Sequence, residues 1–180
     1  MNDKKWFILS ALGQDKTGIV DEVSKFLYEL NCNIEESRMA VLGGEFAIIL
    51  LASGSSEDVK NLENKTGELE KQVGLSVHFK ITEDPEISKA EKRIPYSLSA
   101  TSLDHPGIVY KISHFLKQFE INIAEVETES YNAPFGGTPM FHLEMIIQVP
   151  TSLSLHDLKN KLNEICEREN IDLEINPVKM

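Results

Sequence analysis

Only two cysteines occur in the 180 residues, Cys32 and Cys166, and no C-x-x-C pair or Cys/His spacing surrounds them. That scarcity excludes a disulfide framework and offers no zinc motif. It fits a reducing cytoplasm, where the sequon at Asn64, Lys65 and Thr66 is fortuitous because glycosylation needs the secretory route. No apolar run approaches the roughly 18 residues of a membrane span. The opening "MNDKKWFILSALGQDKTG" sets two lysines before a short apolar stretch but has no small-residue cleavage site, so it reads as a first strand and not as a signal peptide. A nucleophile elbow, a P-loop, H-E-x-x-H and a dinucleotide fingerprint are all missing. Basic charge is also scarce: 18 Lys+Arg against 29 Asp+Glu leave a net charge of −11. Such a field repels a nucleic-acid backbone unless a basic patch compensates. The densest basic stretch, "KAEKR" at 89–93, follows the acidic "TEDPE" at 82–86 and reads as a solvated linker.

What the chain does contain is an internal repeat. "FILSALGQDKTGIV" at 7–20 matches "YSLSATSLDHPGIV" at 96–109, with Asp15 against Asp104 setting an offset of 89. Apolar residues then fall at Ile19, Val20, Val23, Phe26, Leu27 and Leu30, matched by Ile108, Val109, Ile112, Phe115, Leu116 and Phe119. Their spacing of three and four places each set on one stripe of a helix. "NCNIEE" at 31–36 meets "EINIAE" at 120–125, which puts Asn33 on Asn122. The offset then grows, because "SYNAPFGGTP" at 130–139 is longer than the tight "LGGE" turn at 42–45.

"FAIILLA" at 46–52 pairs with "FHLEMIIQV" at 141–149, and a second helix follows in each half, with Val59, Leu62 and Leu69 corresponding to Leu155, Leu158 and Ile165. "LSVHFKI" at 75–81 and "IDLEINPV" at 171–178 close the halves with a strand each.

Each half therefore reads strand, helix, strand, strand, helix, strand. The expected fold class is α+β: two ferredoxin-like βαββαβ units in tandem, with antiparallel sheets and helices on one face. The expected division is a first unit over 1–82, a linker over 83–94 and a second unit over 95–180. "FAIILLA" is apolar on both faces, whereas its counterpart alternates Phe141, Leu143, Met145 and Ile147 inward with His142, Glu144 and Gln148 outward. A strand apolar on both sides is expected to be covered on both sides, which points to a sheet packed on another sheet, that of the second unit or of another subunit, and to a homo-oligomer, a dimer first of all.

Two such units, each with D-x-x-G-I-V opening its first helix and an Asn-Ile pair opening its second strand, resemble tandem ACT domains over nearly the whole chain. With nothing else attached, and with the long hairpin "ETESYNAPFGGTPMFHLEMIIQVP" in the second unit, the chain is similar to the glycine cleavage system transcriptional repressor group. The resemblance implies a cytoplasmic regulatory protein without enzymatic activity, cofactor or metal. ACT units commonly bind amino acids or other small ligands near the first strand-to-helix loop, often between units. The repressor group is thought to act through a DNA-binding partner regulatory protein, which agrees with the acidity of this chain and with no direct contact to nucleic acid or membrane. The other readings are a ligand-free assembly scaffold and the regulatory part of a folate-linked hydrolase.

The chemistry of the repeated loop suits a small amino acid, glycine or similar. The first backbone N–H groups of a helix lack intrahelical partners and carry the positive end of the helix dipole, which makes a seat for a carboxylate. Gly18 and Gly107 let a ligand approach the backbone closely, next to Ile19 and Ile108. Asp15 and Asp104, with the side-chain oxygens of Asn33 and Asn122, would accept hydrogen bonds from the ammonium group. His105 would hydrogen-bond the ligand or sense pH near its ordinary pKa of about 6.5. Each residue also has a structural alternative: Asp as a helix cap, Gly as turn geometry, Pro106 as a first-turn residue needing no donor, Asn as a turn former, His105 as a surface turn residue. Glu125, Glu127 and Glu129 share one strand face and read as a solvated row, and His142 with Glu144 reads as a surface pair lacking a third partner.

Overall fold

The computed structural model describes residues 4–85, 92–134 and 136–178, apart from the side chain of Ile165. The chain divides into two compact units, Met1–Lys89 and Ala90–Met180. The first holds β1 (Lys4–Gln14), α1 (Ile19–Glu29), β2 (Asn33–Leu42), β3 (Glu45–Ser55), α2 (Ser56–Val73) and β4 (Ser76–Thr82). The second holds β5 (Arg93–Leu103), α3 (Ile108–Gln118), β6 (Asn122–Asn132), β7 (Pro139–Pro150), α4 (Leu155–Glu169) and β8 (Asp172–Pro177). Part of the linker expected over 83–94, residues 86–91, lies outside the described residues.

Each unit is a four-stranded antiparallel sheet, ordered β2-β3-β1-β4 and β6-β7-β5-β8. The repeat extends to its irregularities. The pairing of β2 with β3 shifts between Ile34 and Glu36, and that of β6 with β7 shifts between Ile123 and Glu125. A two-residue turn joins β2 to β3 because Gly43 and Gly44 both hold positive φ, 61° and 87°, the backbone of a tight hairpin.

Alternation along the central strands decides which face is buried. Phe7, Leu9 and Ala11 of β1 and Phe46, Ile48, Leu50 and Ala52 of β3 join Val23 and Leu27 of α1 and Leu62 and Leu69 of α2 in one core. Leu98 and Ala100 of β5, Leu143, Met145 and Ile147 of β7, Ile112 and Leu116 of α3, and Leu158 and Leu162 of α4 form its counterpart. The second helix departs slightly from the aligned pattern. Ile165 was the expected match to Leu69, and its side chain is outside the described residues, while Cys166 is buried one turn after Leu162 and behaves as a small hydrophobe.

On the second face of "FAIILLA" the single chain leaves apolar side chains exposed. Ile49, on the face opposite Phe46 and Ile48, is 51% exposed, and Ala47 is exposed with it. The doubled apolar pattern marks a surface open to a second sheet. Among the described residues no helix is long and apolar enough to cross a membrane.

Candidate functional site

The two strand-to-helix turns are built alike. The Asp15 N–H donates to the Gly44 carbonyl at 3.0 Å and the Asp104 N–H to the Pro139 carbonyl at 3.0 Å, which ties each turn to the hairpin beside it. Gly18 (φ 97°) and Gly107 (φ 103°) are the N-caps of α1 and α3, and neither helix start receives a side-chain hydrogen bond. The aspartates therefore do not cap these helices, although a cap was one reading of them. The other two helices are capped: the Ser55 hydroxyl accepts from the Asp58 N–H at 3.1 Å and the Ser154 hydroxyl from the Asp157 N–H at 3.4 Å. The first N–H groups of α1 and α3 are thus left for solvent or a ligand. Ile19 and Ile108 are buried core residues, so only their backbone is placed to meet a ligand.

The second turn opens into a cleft of about 470 Å³ lined by Asp104, His105, Pro106, Gly107, Tyr110 and Phe141, among others. His105 Nδ1 lies 3.2 Å from the Pro106 carbonyl oxygen; a carbonyl only accepts, so this contact needs the proton on Nδ1. In the first turn the residue aligned with His105 is Lys16, whose Nζ donates to the Val73 carbonyl at the end of α2, 3.0 Å away. In the second unit the end of the helix pair is joined differently: Lys111 Nζ of α3 contacts Glu169 Oε2, the last residue of α4, at 2.5 Å. The hydrogen bond from Lys111 holds the Glu169 carboxyl below the ordinary carboxylate range, with the charges of Lys111 and His105 adding to it.

Asn33 and Asn122, expected at the same site, are not brought to the turns. Asn33 pairs with Ser53 on β3, whereas the turn end of β1 pairs with Glu45. Eight residues of β3 separate those two points, about 27 Å at the usual strand rise. The cause is topological. β1 and β2 run parallel, so α1 must carry the chain back and β2 begins at the end of the sheet where β1 began. The same holds for Asn122, which pairs with Gln148 and donates to its side-chain oxygen at 3.2 Å. It lines a separate open groove of about 620 Å³ with Arg93, Ser113, Lys117, Glu120 and Gln148. Nothing in the spacing of these residues announced that groove; only the offset-89 match of Arg93 with Lys4 marks the position.

At that end of the first unit, Glu35 accepts from the Ser53 hydroxyl at 2.5 Å and pairs with Lys4 at 3.0 Å. The Ser53 hydrogen bond first, then those of Lys4 and Asn33, lower its carboxyl to about 2. Because the folded value lies below the ordinary one, Glu35 stabilises the fold above about pH 4.5, and that contribution is lost as pH falls through about 2. The gap in denaturation midpoint between the native chain and Glu35→Gln is expected to close across that window, and to be modest because the carboxylate is solvated.

The remaining candidates form no reactive centre. His142 sits between Thr101 Oγ1 (2.9 Å from Nδ1) and Glu144 Oε1 (3.2 Å from Nε2) on the open face of the second sheet. No group of three His, Cys, Asp or Glu suited to a metal ion occurs among the described residues. Burial raises the thiols of Cys32 and Cys166 to about 11, with Asp58 adding to the effect at Cys32. Both are protonated at neutral pH and poor nucleophiles.

Residues 5–80 match the ACT domain family. Over 180 residues the chain is 24% identical to the glycine cleavage system transcriptional repressor of Escherichia coli (strain K12), covering 99% of this chain and 93% of that one. It is 33% identical over 89 residues to a UPF0237 protein of Methanocaldococcus jannaschii, covering 48% of this chain and 96% of that one. The crystal structure of an unknown protein from Galdieria sulphuraria superposes with a TM-score of 0.84 at 29% identity, over 98% of this chain and 99% of that one. The crystal structure of a putative glycine cleavage system transcriptional repressor superposes with a TM-score of 0.75 at 24% identity, over 98% and 99% of the two chains, and shows the same fold.

Proposed function

Since the chain belongs to the ACT-domain family, we propose that it is an amino-acid-responsive regulator that modulates transcription indirectly through a partner protein. The observation that carries this reading is the start of α3: an N-cap glycine at φ 103° without a side-chain cap, opening into a cleft with Asp104 at its edge. A zwitterion fits there in one orientation, its carboxylate on the N–H groups of Ile108 and its neighbours and its ammonium toward the Asp104 carboxylate. A molecule the size of glycine or serine needs no more room than the cleft provides. Relatives named as transcriptional repressors, matched over 93% of their length, support the regulatory role, and a net charge of −11 favours a route through another protein over direct contact with DNA. The site holds no arrangement for bond breaking. It can bind, and binding changes a regulator only if its two states hold the ligand differently.

An assembly role has an observation of its own. Met39 and Val41 on edge strand β2 are 54% and 48% exposed, and an exposed apolar edge strand invites pairing with a second copy. The two roles are compatible, with assembly as the readout of binding. The test is titration calorimetry of the purified chain against the amino acids, glycine and serine included, paired with melting. One or a few amino acids are expected to bind and raise the melting temperature. Absence of heat and of any melting shift for all of them would leave the assembly role alone.

A further inference from the structure

The two turns are near copies in backbone, yet their charges are arranged oppositely. α1 carries Asp21 and Glu22 in its first turn, while α3 has no acidic residue there. At the offset of 89, Glu22 corresponds to Lys111. The lysine of the first turn, Lys16, is engaged by the Val73 carbonyl, so a carboxylate arriving at Gly18 meets two fixed carboxylates and a committed cation. A carboxylate arriving at Gly107 meets the opposite. The Lys111 side chain folds back along the helix, its Cε 3.9 Å from where a Cβ on Gly107 would stand, as helical side chains lean toward the N-terminus. Its ammonium is occupied by Glu169 at the end of α4, and both partners keep about a third of their side chains exposed. The contact is a partly exposed ion pair whose lysine lies one helical turn from Gly107, open enough to exchange.

We propose that Lys111 selects the second turn as the effector site and exchanges its internal carboxylate, Glu169, for the carboxylate of the amino acid. This rests on the amino-acid reading above and deepens it in two ways. Only one of the two copies binds, so the stoichiometry is one amino acid per chain. Occupancy is also transmitted: when Lys111 turns to the effector, Glu169 is released and the junction between the start of α3 and the end of α4 loosens. Glu169 acts as a built-in competitor, which weakens effector binding and couples it to the position of α4. Coupling of this kind is reciprocal: whatever holds Glu169 away from Lys111 tightens effector binding.

The experiment is calorimetric titration of the full chain with glycine and with serine, using the native protein and Lys111→Met, Lys111→Arg and Glu169→Gln. The native chain is expected to bind one equivalent. Lys111→Met should weaken binding about tenfold or more, the loss expected for one charge-assisted hydrogen bond, and Lys111→Arg should restore most of it. Glu169→Gln should tighten binding by about fivefold, within the usual range of coupling. All three substitutions are at partly exposed side chains, and unchanged far-UV spectra verify the fold. If the native chain binds neither amino acid, the amino-acid reading falls and this proposal with it. If it binds but Lys111→Met binds equally well, or two equivalents bind, or Glu169→Gln binds no tighter, the proposal alone falls.

Discussion

Phe7→Ala is expected to lower the stability of the first unit by about 3–5 kcal/mol, the cost of truncating a fully buried aromatic residue. Phe7 is 0% exposed on β1, a strand flanked by β3 on one side and β4 on the other. Its ring lies 5.3 Å from that of Phe79, and its neighbour on β3 is Ala52, too small to swing into the vacated space. The surroundings cannot collapse, so a cavity term adds to the lost transfer energy. The repeat supplies the control. Tyr96, the aligned residue of β5, only packs against its core from a partly buried position, and its truncation should cost clearly less. Denaturant midpoints at unchanged slope read both effects. A loss at Phe7 below about 1 kcal/mol, the level of a surface change, would place that strand face outside the core.

The second large effect is on binding. Gly107→Val is expected to abolish effector binding at concentrations that saturate the native chain, while costing about 1–3 kcal/mol in stability from backbone strain. The cost is not steric overlap, because the nearest atom to a Cβ on Gly107 is Lys111 Cε at 3.9 Å. It arises because φ of 103° is closed to a β-branched residue. The valine either strains the turn or rotates it, and a rotated turn no longer aims the first N–H groups of α3 into the cleft. Gly107→Ala is the graded variant, with a smaller loss of both. Calorimetry and melting on the same samples separate the two quantities. Native affinity in a folded Gly107→Val chain would show that the turn conformation is irrelevant to the ligand.

The internal repeat made most of the fold readable. Two independent copies of the helical stripe, Ile19 to Leu30 and Ile108 to Phe119, fixed both first helices, and the alternation in β7 fixed its inward face. The turn was readable because Gly18 and Gly107 share one offset with Asp15 and Asp104. The reading ran out where periodicity carries no depth or distance. "FAIILLA" is apolar on both faces and Ile49 is exposed in the single chain, since composition records which surfaces avoid water and not what covers them. Asn33 and Asn122 were expected at the turns because their side-chain oxygens suit an ammonium group. The parallel course of β1 and β2 puts them at the far end of the sheet. The Lys111–Glu169 pair joins residues 58 apart, and no local pattern announces a contact between two helix ends. The exchange of the cation from position 16 in one unit to position 111 in the other becomes visible only when both copies are placed in three dimensions.

The central claim is that one turn of the two, at the start of α3, receives a small amino acid. Amide NMR spectra of the native chain recorded with increasing glycine, and separately serine, test it most directly. The account predicts saturable shifts confined to the Gly107–Lys111 amides, the Asp104 amide and the end of α4 near Glu169, with Gly18–Glu22 unmoved. Shifts at Gly18–Glu22 instead, or no saturable shift at Gly107–Lys111 with either amino acid, would contradict it.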